Sequence, residues 1–493
     1  MKRIREGNVC GQLMILIGIL VFMPVCILIF YPQEMHYALS FVIPSVISIV
    51  GGWLTCVLFV EKESDSPRSA GQRKSMRIVL FTWLWGIAIG ALPFLISGQL
   101  NVIQSLFESV SGWTTTGLSV MDVSITSKIF LFYRSFMQYC GGLGFIMMII
   151  MLVNDRYSMD LFNAEGHPDK LMPNLGRTAR MILLMYLCFL GAGTIAYAIA
   201  GMPVFDGICH AMCSLSTGGF STKLNSIGEY NSFAIECVTV VLMLLGTTNF
   251  AVLLLAVKGK WKRVIQVSEV RFMFILLAIS ILLTGCSLLS IMPVQDAFRH
   301  AFFNTASALS TSGYATMSYA NWPSFARGML ILLMLVGGGL GSTAGGIKLT
   351  RVYLLIRMVC LNIRKKMQPG RCVESPSYYR AQGKTRIDDE VCLDTVGFIG
   401  CYLFIYICGT MALTLACHCS LDEAMFEFAS SLGTVGLSIG LTGPGTGSAV
   451  LLIEMTGMIL GRLEIFIVIV GLCRAIQSAA RFFRNCIFKE SEK

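Results

Sequence analysis

The residues Thr115-Thr116-Gly117-Leu118 begin a pattern that the chain repeats three more times. The other copies are Thr217-Gly218-Gly219-Phe220, Thr311-Ser312-Gly313-Tyr314 and Thr434-Val435-Gly436-Leu437. Each copy follows a short apolar stretch and precedes a long apolar run. Because glycine adopts left-handed and extended backbone geometries without strain, such a segment can turn several carbonyl oxygens to one side. Four segments around one axis would form a ring of oxygens able to replace the water shell of a cation.

The composition is that of a membrane protein. Of the 493 residues, 55% are hydrophobic and only 13% are charged, whereas soluble domains have about 25% charged residues. A bilayer span needs about 20 apolar residues, and the chain offers many such runs, for example residues 181–200. These long uninterrupted runs predict membrane-spanning helices rather than a barrel.

The net charge of +10 could suggest binding to nucleic acid, but its distribution argues against that. The basic residues gather in the N-terminus, in four segments between apolar runs and in the tail, and they alternate with loops poor in Arg and Lys. Cytoplasmic loops of membrane proteins carry this excess. We therefore expect an even number of spans, both termini in the cytoplasm and no nucleic acid partner.

The apolar runs divide the chain into an N-terminal hairpin and four pore repeats. Residues 1–76 contain two spans, at 11–31 and 38–60, and a cytoplasmic linker. The repeats cover residues 77–153, 177–257, 270–367 and 393–483, and residues 484–493 form a tail. Each repeat has a span, a short half-helix, one of the four Thr-x-Gly segments quoted above, which we call the filter segments, and a second span. We expect one interrupted second span, in the third repeat. The predicted fold is therefore all-α, with ten transmembrane helices and four re-entrant pore helices around a pseudo-fourfold axis.

The predicted half-helices, at residues 102–113, 205–216, 295–310 and 421–433, are too short to cross the hydrocarbon. With their C-termini at the centre, their dipoles would place partial negative charge there, which favours a cation. A second glycine column follows the filter glycines by 24 to 27 residues, at Gly141, Gly246, Gly338 and Gly461. Close helix packing is the alternative explanation for this column.

The filter segments share only one glycine position, and their first threonines could add hydroxyl oxygens to the carbonyls. That is a short and irregular oxygen ladder. We therefore expect moderate selectivity for K⁺ and Rb⁺ over Na⁺. The alternative is that these segments are ordinary turns between helices, although four such turns would not need the same Thr-x-Gly order.

A glycine-rich stretch lies inside the second span of the third repeat. It reads Gly337-Gly338-Gly339-Leu340-Gly341-Ser342-Thr343-Ala344-Gly345-Gly346. Since glycine costs about 1 kcal/mol per residue in a helix, the stretch should form a loop between two helices. We interpret this loop as a gate below the filter. A phosphate-binding loop is a weak alternative because no strand precedes it, and a static packing kink stays open.

The charged residues that we single out within the predicted spans are Lys348, which follows the glycine-rich stretch, and Arg462 and Glu464 in the fourth repeat. Charges inside spans are costly and usually functional. We assign them to the gate with the loop, because a cation at Arg462 would repel an ion that passes the filter. A structural ion pair between helices is the alternative.

Other chemistries find little support in the sequence. The five histidines are dispersed, and Cys417-His418-Cys419 lacks a further ligand pair at zinc-like spacing. We expect no enzyme activity and no cofactor, with K⁺ as the transported and bound ion. A secondary transporter with a midplane site would have inverted repeats and usually two matching broken helices, whereas these repeats run parallel.

The fourfold Thr-x-Gly pattern, the interrupted span and Arg462 resemble the Trk/Ktr/HKT superfamily of K⁺ transporters. The extra N-terminal hairpin is similar to the Trk rather than the Ktr branch. The resemblance implies a homodimer in the bacterial inner membrane, with one pore per protomer, that takes up K⁺ along the membrane potential. It also implies a cytoplasmic TrkA-like ring with nucleotide-binding domains as regulatory partner. The basic stretch 351–386 could bind such a partner or anionic membrane lipids, or be a solvated loop.

Overall fold

The computed structural model describes residues 8–58, 68–144, 175–367, 376–463, 465, 466, 468–471 and 473. The described part is almost wholly helical. Its helices are α1 Val9–Phe22, α2 Ala38–Leu58, α3 Arg68–Ile96, α4 Val102–Trp113, α5 Lys128–Leu143, α6 Leu175–Ile199, α7 Val204–Leu215, α8 Phe233–Thr247, α9 Phe250–Val257, α10 Trp261–Gln266, α11 Ser268–Leu288, α12 Val294–Leu309, α13 Ser324–Leu335, α14 Leu349–Met367, α15 Asp389–Cys417, α16 Leu421–Leu432 and α17 Ser448–Arg462. Short 3₁₀ helices cover Met23–Ile29, Pro32–Tyr37 and Ser226–Tyr230.

The N-terminal hairpin consists of α1 and α2, which pack closely along their length. A side chain on Gly11 or Gly52 would overlap the backbone of the opposite helix, so these glycines let the two helices touch. The Ser48 hydroxyl donates a 2.7 Å hydrogen bond to the Met14 carbonyl, and Trp85 of α3 donates to the same hydroxyl. The hairpin is thereby attached to the first helix of the first repeat.

The four repeats share one succession of helices. Each begins with a long apolar helix (α3, α6, α11 and α15) and continues with a half-helix (α4, α7, α12 and α16). Six helical segments of the described residues are long and apolar enough to cross a membrane: the two arms of the hairpin and the long helix of each repeat. The described helices that follow the filter segments are individually shorter, and they are α5, α8 and α9, α13 and α14, and α17.

The prediction of an uninterrupted second span in the repeat 177–257 is wrong. Helices α8 and α9 meet at an angle of 112°, so this repeat has a broken span as well as the third. Asn249 is the N-cap residue before α9, and its side chain accepts a hydrogen bond from the amide of Ala251. The break is thus a helix end followed by a capped helix start. Within the described residues, the expectation of one interrupted helix must therefore be corrected to at least two.

A small antiparallel hairpin lies in the basic stretch that follows α14. Strand β1, Ser377–Arg380, pairs with β2, Gly383–Arg386, with Ser377 opposite Arg386. Tyr378 is buried against Leu354 and Ile387, and the Tyr379 amide donates to the Ser268 hydroxyl. This part of the stretch is therefore folded against α11 and α14 instead of being a solvated loop.

Candidate cation pathway

The four filter segments leave their half-helices in the same way. In each, the amide of the second segment residue donates to a carbonyl five residues earlier, at 2.8–3.0 Å; the pairs are Thr116 to Ser111, Gly218 to Cys213, Ser312 to Ser307 and Val435 to Ser430. The first threonine of each segment has a positive φ of 49–56°, namely Thr115, Thr217, Thr311 and Thr434. A β-branched residue rarely adopts this geometry, so its fourfold occurrence reflects a constraint from the surrounding structure.

The filter glycines also have positive φ, from 73° to 100°. Their neighbours close a ring. A side chain on Gly117 would overlap the carbonyl of Gly218, and the same holds for Gly219 with Ser312, for Gly313 with Val435 and for Gly436 with Thr116. Each segment thus touches the next, and the fourth touches the first. The structure therefore brings all four predicted segments together around one axis.

Most carbonyl oxygens of this ring accept no hydrogen bond from the described residues. At the first three positions of the segments, only the Gly218 carbonyl accepts a hydrogen bond from the described residues, and its donor is Gln138. The hydroxyls of Thr115 and Thr434 are buried and lack a hydrogen-bond partner among the described residues. Buried backbone carbonyls are normally paired. Oxygens left without donors in a buried ring are suited to a dehydrated cation.

The fourth positions pack outside the ring. Leu118, Phe220, Tyr314 and Leu437 are 0–2% exposed. The Tyr314 hydroxyl oxygen lies 3.3 Å from each of the carbonyl oxygens of His210 and Phe220 and shares its single proton between them. The aromatic ring of Tyr314 also stacks on His210. These side chains support the segments from behind and connect the second repeat to the third.

The sequence analysis missed a polar residue nine positions before each filter glycine. Three of these side chains bind a serine two positions after the glycine, and the pairs are Glu108 with Ser119, His210 with Ser221 and Glu427 with Ser438. The fourth, Asn304, binds Thr316. A fixed spacing to the filter glycine was the available signal. These residues are buried and hold the segment that leaves the ring.

The glycine column in the second spans has a packing function. Side chains on Gly141, Gly246 and Gly461 would overlap the carbonyls of Trp113, Leu215 and Leu432, which are the last residues of their half-helices. The close-packing alternative thus accounts for these three glycines. The third repeat differs, because a side chain on Gly338 would overlap the Thr247 hydroxyl.

The glycine-rich stretch is a loop between α13 and α14. Two hydrogen bonds of 2.9 Å join the ends of the loop: the Gly337 amide donates to the Ile347 carbonyl, and the Ile347 amide donates to the Leu335 carbonyl. Its tip reaches the first threonines of three filter segments. The Gly345 amide donates to Thr311, the Thr343 and Thr217 hydroxyls are 3.1 Å apart, and a side chain on Gly345 would overlap the Thr434 hydroxyl. The loop therefore lies directly against one end of the ring.

The loop is also fixed to the broken span of the second repeat. Gly339 donates to the Thr247 carbonyl at 2.9 Å, and Phe250 donates to the Gly341 carbonyl at 3.3 Å. The Ser342 hydroxyl donates back to Gly339 within the loop. Gly346 closes the loop with a φ of +65° beside Gly337, a geometry that favours glycine. The two breaks in the spans thus support each other.

The predicted charges separate into two described residues and one outside the described part. Arg462 donates to the Thr343 carbonyl of the loop and, at 2.6 and 3.2 Å, to the carbonyls of Gly141 and Gly142. Lys348 donates to the Ala344 carbonyl. Glu464, the third predicted residue, lies outside the described residues. Arg462 consequently connects three repeats at the loop end of the ring.

Half-helices that converge on a buried ring of carbonyl oxygens are the architecture of a membrane cation transport protein. The chain belongs to the TrkH family of cation transport proteins, whose family model matches residues 46–482. This family consists of transporters rather than enzymes. The resemblance to the Trk proteins is thereby confirmed.

Two relatives and one solved structure illustrate this similarity. The chain is 30% identical to the Trk system potassium uptake protein TrkG of Escherichia coli K12 over 488 residues, 94% of this chain and 96% of TrkG. It is 32% identical to TrkH of Vibrio parahaemolyticus over 425 residues, 80% and 83% of the two chains. The crystal structure of the potassium transporter TrkH from V. parahaemolyticus superimposes with a TM-score of 0.81 at 27% identity, covering 95% of this chain and 98% of that one.

Proposed function

We propose that this protein takes up K⁺ across a bacterial inner membrane through the central ring, driven by the membrane potential. The observation that carries the proposal is the closed ring of four Thr-x-Gly segments whose carbonyls lack donors among the described residues. The names of TrkG and TrkH, as Trk system potassium uptake proteins, support K⁺ as the ion.

The ring fits K⁺ by its chemistry. Its oxygens are neutral carbonyls and threonine hydroxyls, and no carboxylate belongs to the four segments. Neutral oxygens suit a weakly hydrated monovalent ion better than a divalent one. With one shared glycine per segment, we propose moderate selectivity for K⁺ and Rb⁺ over Na⁺.

In this proposal, the loop of residues 337–346 is the gate, together with Lys348, Arg462 and Glu464. The loop covers the threonine end of the ring, and the Arg462 guanidinium lies beside it. A path into the cytoplasm then requires that the loop move away. Gly337, Gly339 and Gly346 lie at close contacts with neighbouring backbone, so a small displacement breaks several hydrogen bonds at once.

The wider assembly is part of the same proposal. We propose ten transmembrane helices and four re-entrant pore helices, with both termini in the cytoplasm. We also propose a homodimer with one pore per protomer, contact with membrane lipids, and a cytoplasmic TrkA-like nucleotide-binding ring that controls the gate. The β1–β2 hairpin would lie on the cytoplasmic face and offers Arg380 and Arg386 to an acidic partner surface.

The test of the function is Rb⁺ and K⁺ uptake by cells without other K⁺ systems, comparing the wild type with Gly313→Ser. Gly313 has a φ of +73°, and a side chain there would overlap the Val435 carbonyl. Strain of about 1–3 kcal/mol at this position should lower uptake or the preference for K⁺ over Na⁺ by about tenfold. The matched control is Gly328→Ser on α13, where a side chain meets nothing within 4 Å. Wild-type uptake and selectivity in the Gly313 variant would contradict the filter assignment.

A further inference from the structure

Two buried glutamates share one hydroxyl in the fourth repeat. Glu427 lies on α16 and Glu454 on α17, and both are 0% exposed. The Thr442 hydroxyl oxygen lies 2.6 Å from Oε1 of Glu427 and 2.8 Å from Oε1 of Glu454. Thr442 belongs to the loop that follows the fourth filter segment, and the neighbouring residues 444 and 445 are exposed to solvent.

Glu427 has the surroundings of an ionised carboxylate. Besides Thr442, it accepts hydrogen bonds from the Ser438 hydroxyl at 2.6 Å and from the amides of Ile439 and Thr442 at 3.2 Å. Four donors directed at one carboxylate stabilise its charge. Through them Glu427 holds residues 438–442, the segment that begins two residues after the filter glycine Gly436.

Glu454 has different surroundings. A hydroxyl carries a single proton, and Thr442 already donates it over the shorter contact to Glu427. The contact between Thr442 and Glu454 is then a hydrogen bond only if the Glu454 carboxyl is the donor. Its other oxygen, Oε2, is buried without a hydrogen-bond partner among the described residues. An unpaired carbonyl oxygen costs far less in such a place than an unpaired carboxylate oxygen.

The described charged and titratable groups on the helices packed against α17 do not neutralise the carboxyl groups of Glu427 and Glu454. On α4, Glu108 forms a 3.1 Å ion pair with Arg134. On α16, Asp422 pairs with Arg327, and Glu423 caps its own helix at Ser420. The acids of α15 lie in its first two turns, and they are Asp389, Glu390 and Asp394. Of its tyrosines, Tyr406 donates to the Met425 carbonyl, and Tyr402 is buried. Among the described residues, no cationic side chain lies within 4 Å of Glu427 or Glu454.

The first repeat shows the contrast. Glu108, which corresponds to Glu427, has the guanidinium of Arg134 from its own second span as partner. In the fourth repeat the second span supplies Glu454 instead. We propose that Glu454 is a proton-binding site, in which a protonated carboxyl donates to Thr442 and Thr442 donates to the ionised Glu427. The bound proton leaves the fourth repeat with one charge beside the filter, that of Glu427, whereas in the first repeat Arg134 balances the one charge of Glu108.

Loss of this proton has a structural consequence. It would leave two carboxylates on either side of one hydroxyl, and their repulsion in a buried place would displace residues 438–442. Because that segment continues directly from Gly436, the ring would lose its fourth side. This consequence rests on the proposed function. The site makes K⁺ uptake decline when the solution on the side of the membrane that the Thr442 loop faces becomes alkaline.

Infrared difference spectroscopy of the purified full-length protein during a pH titration tests the proton directly. The wild type should show the stretching band of a protonated carboxyl group at neutral pH, and Glu454→Gln should lack it. Asp422→Asn, which removes a partly exposed acid of α16, should keep it. Thr442→Val should move the band to higher frequency because the acid loses its acceptor. A neutral wild type without the band, or a band that persists in Glu454→Gln, would overturn the proposal.

Uptake of Rb⁺ as a function of external pH tests the consequence. Glutamine offers an amide donor to Thr442 at every pH, so Glu454→Gln should retain uptake at alkaline pH where the wild type loses about tenfold. Identical alkaline profiles would overturn the regulatory step. The infrared band does not depend on transport, so it distinguishes failure of this site from failure of the proposed K⁺ uptake, which Gly313→Ser tests.

Discussion

At the scale of single residues, the ring depends on side chains behind it rather than on the filter alone. Glu108 accepts hydrogen bonds from the Ser119 hydroxyl and from the amides of Val120 and Met121. Arg134 balances its charge, and the Arg134 guanidinium lies 4.0 Å from the ring centre of Phe220 in the next repeat. One buried ion pair therefore fixes the first filter segment and its contact with the second.

This pair yields a stability prediction. Arg134→Met should destabilise the protein by about 3–5 kcal/mol because it leaves the Glu108 charge buried without its partner. The measurement is thermal unfolding of the purified protein, followed by tryptophan fluorescence.

The matched control is Arg327→Met, which breaks the ion pair with Asp422. The side chains of that pair are 21% and 56% exposed, and its loss should cost only about 0–1 kcal/mol. Equal decreases of the unfolding temperature in the two variants would show that the buried ion pair stabilises the protein no more than the exposed one.

At the scale of elements, the decisive feature is that the second spans of the second and third repeats break beside the ring. The break between α8 and α9 accepts the loop between α13 and α14, and the end of α17 places Arg462 against both this loop and α5. A continuous helix could not present several backbone carbonyls to one guanidinium. The breaks thus create the surface on which the proposed gate rests.

The proposed gating function of Arg462 can be separated into charge and geometry. Arg462→Met should raise ion flux through reconstituted protein by about tenfold, because it removes a positive charge from the path of a cation. Arg462→Lys keeps the charge without the planar fork and should stay within about threefold of the wild type.

Flux of Rb⁺ into proteoliposomes measures both variants. Arg364→Met, at the cytoplasmic end of α14 in the proposed topology, serves as control for a basic residue away from the ring and should leave flux unchanged. If the Lys and Met variants raised flux alike, the hydrogen bonds of the guanidinium rather than its charge would close the pathway.

At the scale of the whole molecule, four parallel repeats enclose one axis, and the second broken span does not convert them into inverted repeats. The ring is neutral and closed on all four sides. In the proposed function, this ring conducts an ion down its electrochemical gradient without a chemical reaction. The membrane potential supplies about 2.3 kcal/mol per charge per 100 mV.

The energetics give a quantitative prediction. With an inside-negative potential of about 100 mV, proteoliposomes should accumulate Rb⁺ about 50-fold, and no further when a proton or Na⁺ gradient is added. The measurement is the steady-state ratio of Rb⁺ at a clamped potential. Accumulation well beyond that ratio would show coupling to a second ion and would replace the channel-like mechanism with symport.

The sequence by itself determined the membrane class, the fourfold repeat and the places of the half-helices, which the structure has at Val102–Trp113, Val204–Leu215, Val294–Leu309 and Leu421–Leu432. It also picked out the glycine-rich loop. These features follow from the length of apolar runs and from the conformational freedom of glycine, both of which are local properties of the chain.

Only the tertiary structure decided the break at Asn249, the partners of Arg462, the pairing of Glu108 with Arg134 and the shared hydroxyl between Glu427 and Glu454. Each depends on segments that are far apart in the chain, and the energy of a buried charge is set by the neighbours that the fold brings to it. Residue order alone contains no such distances. For that reason the ring was foreseeable from the repeat, whereas its supports were not.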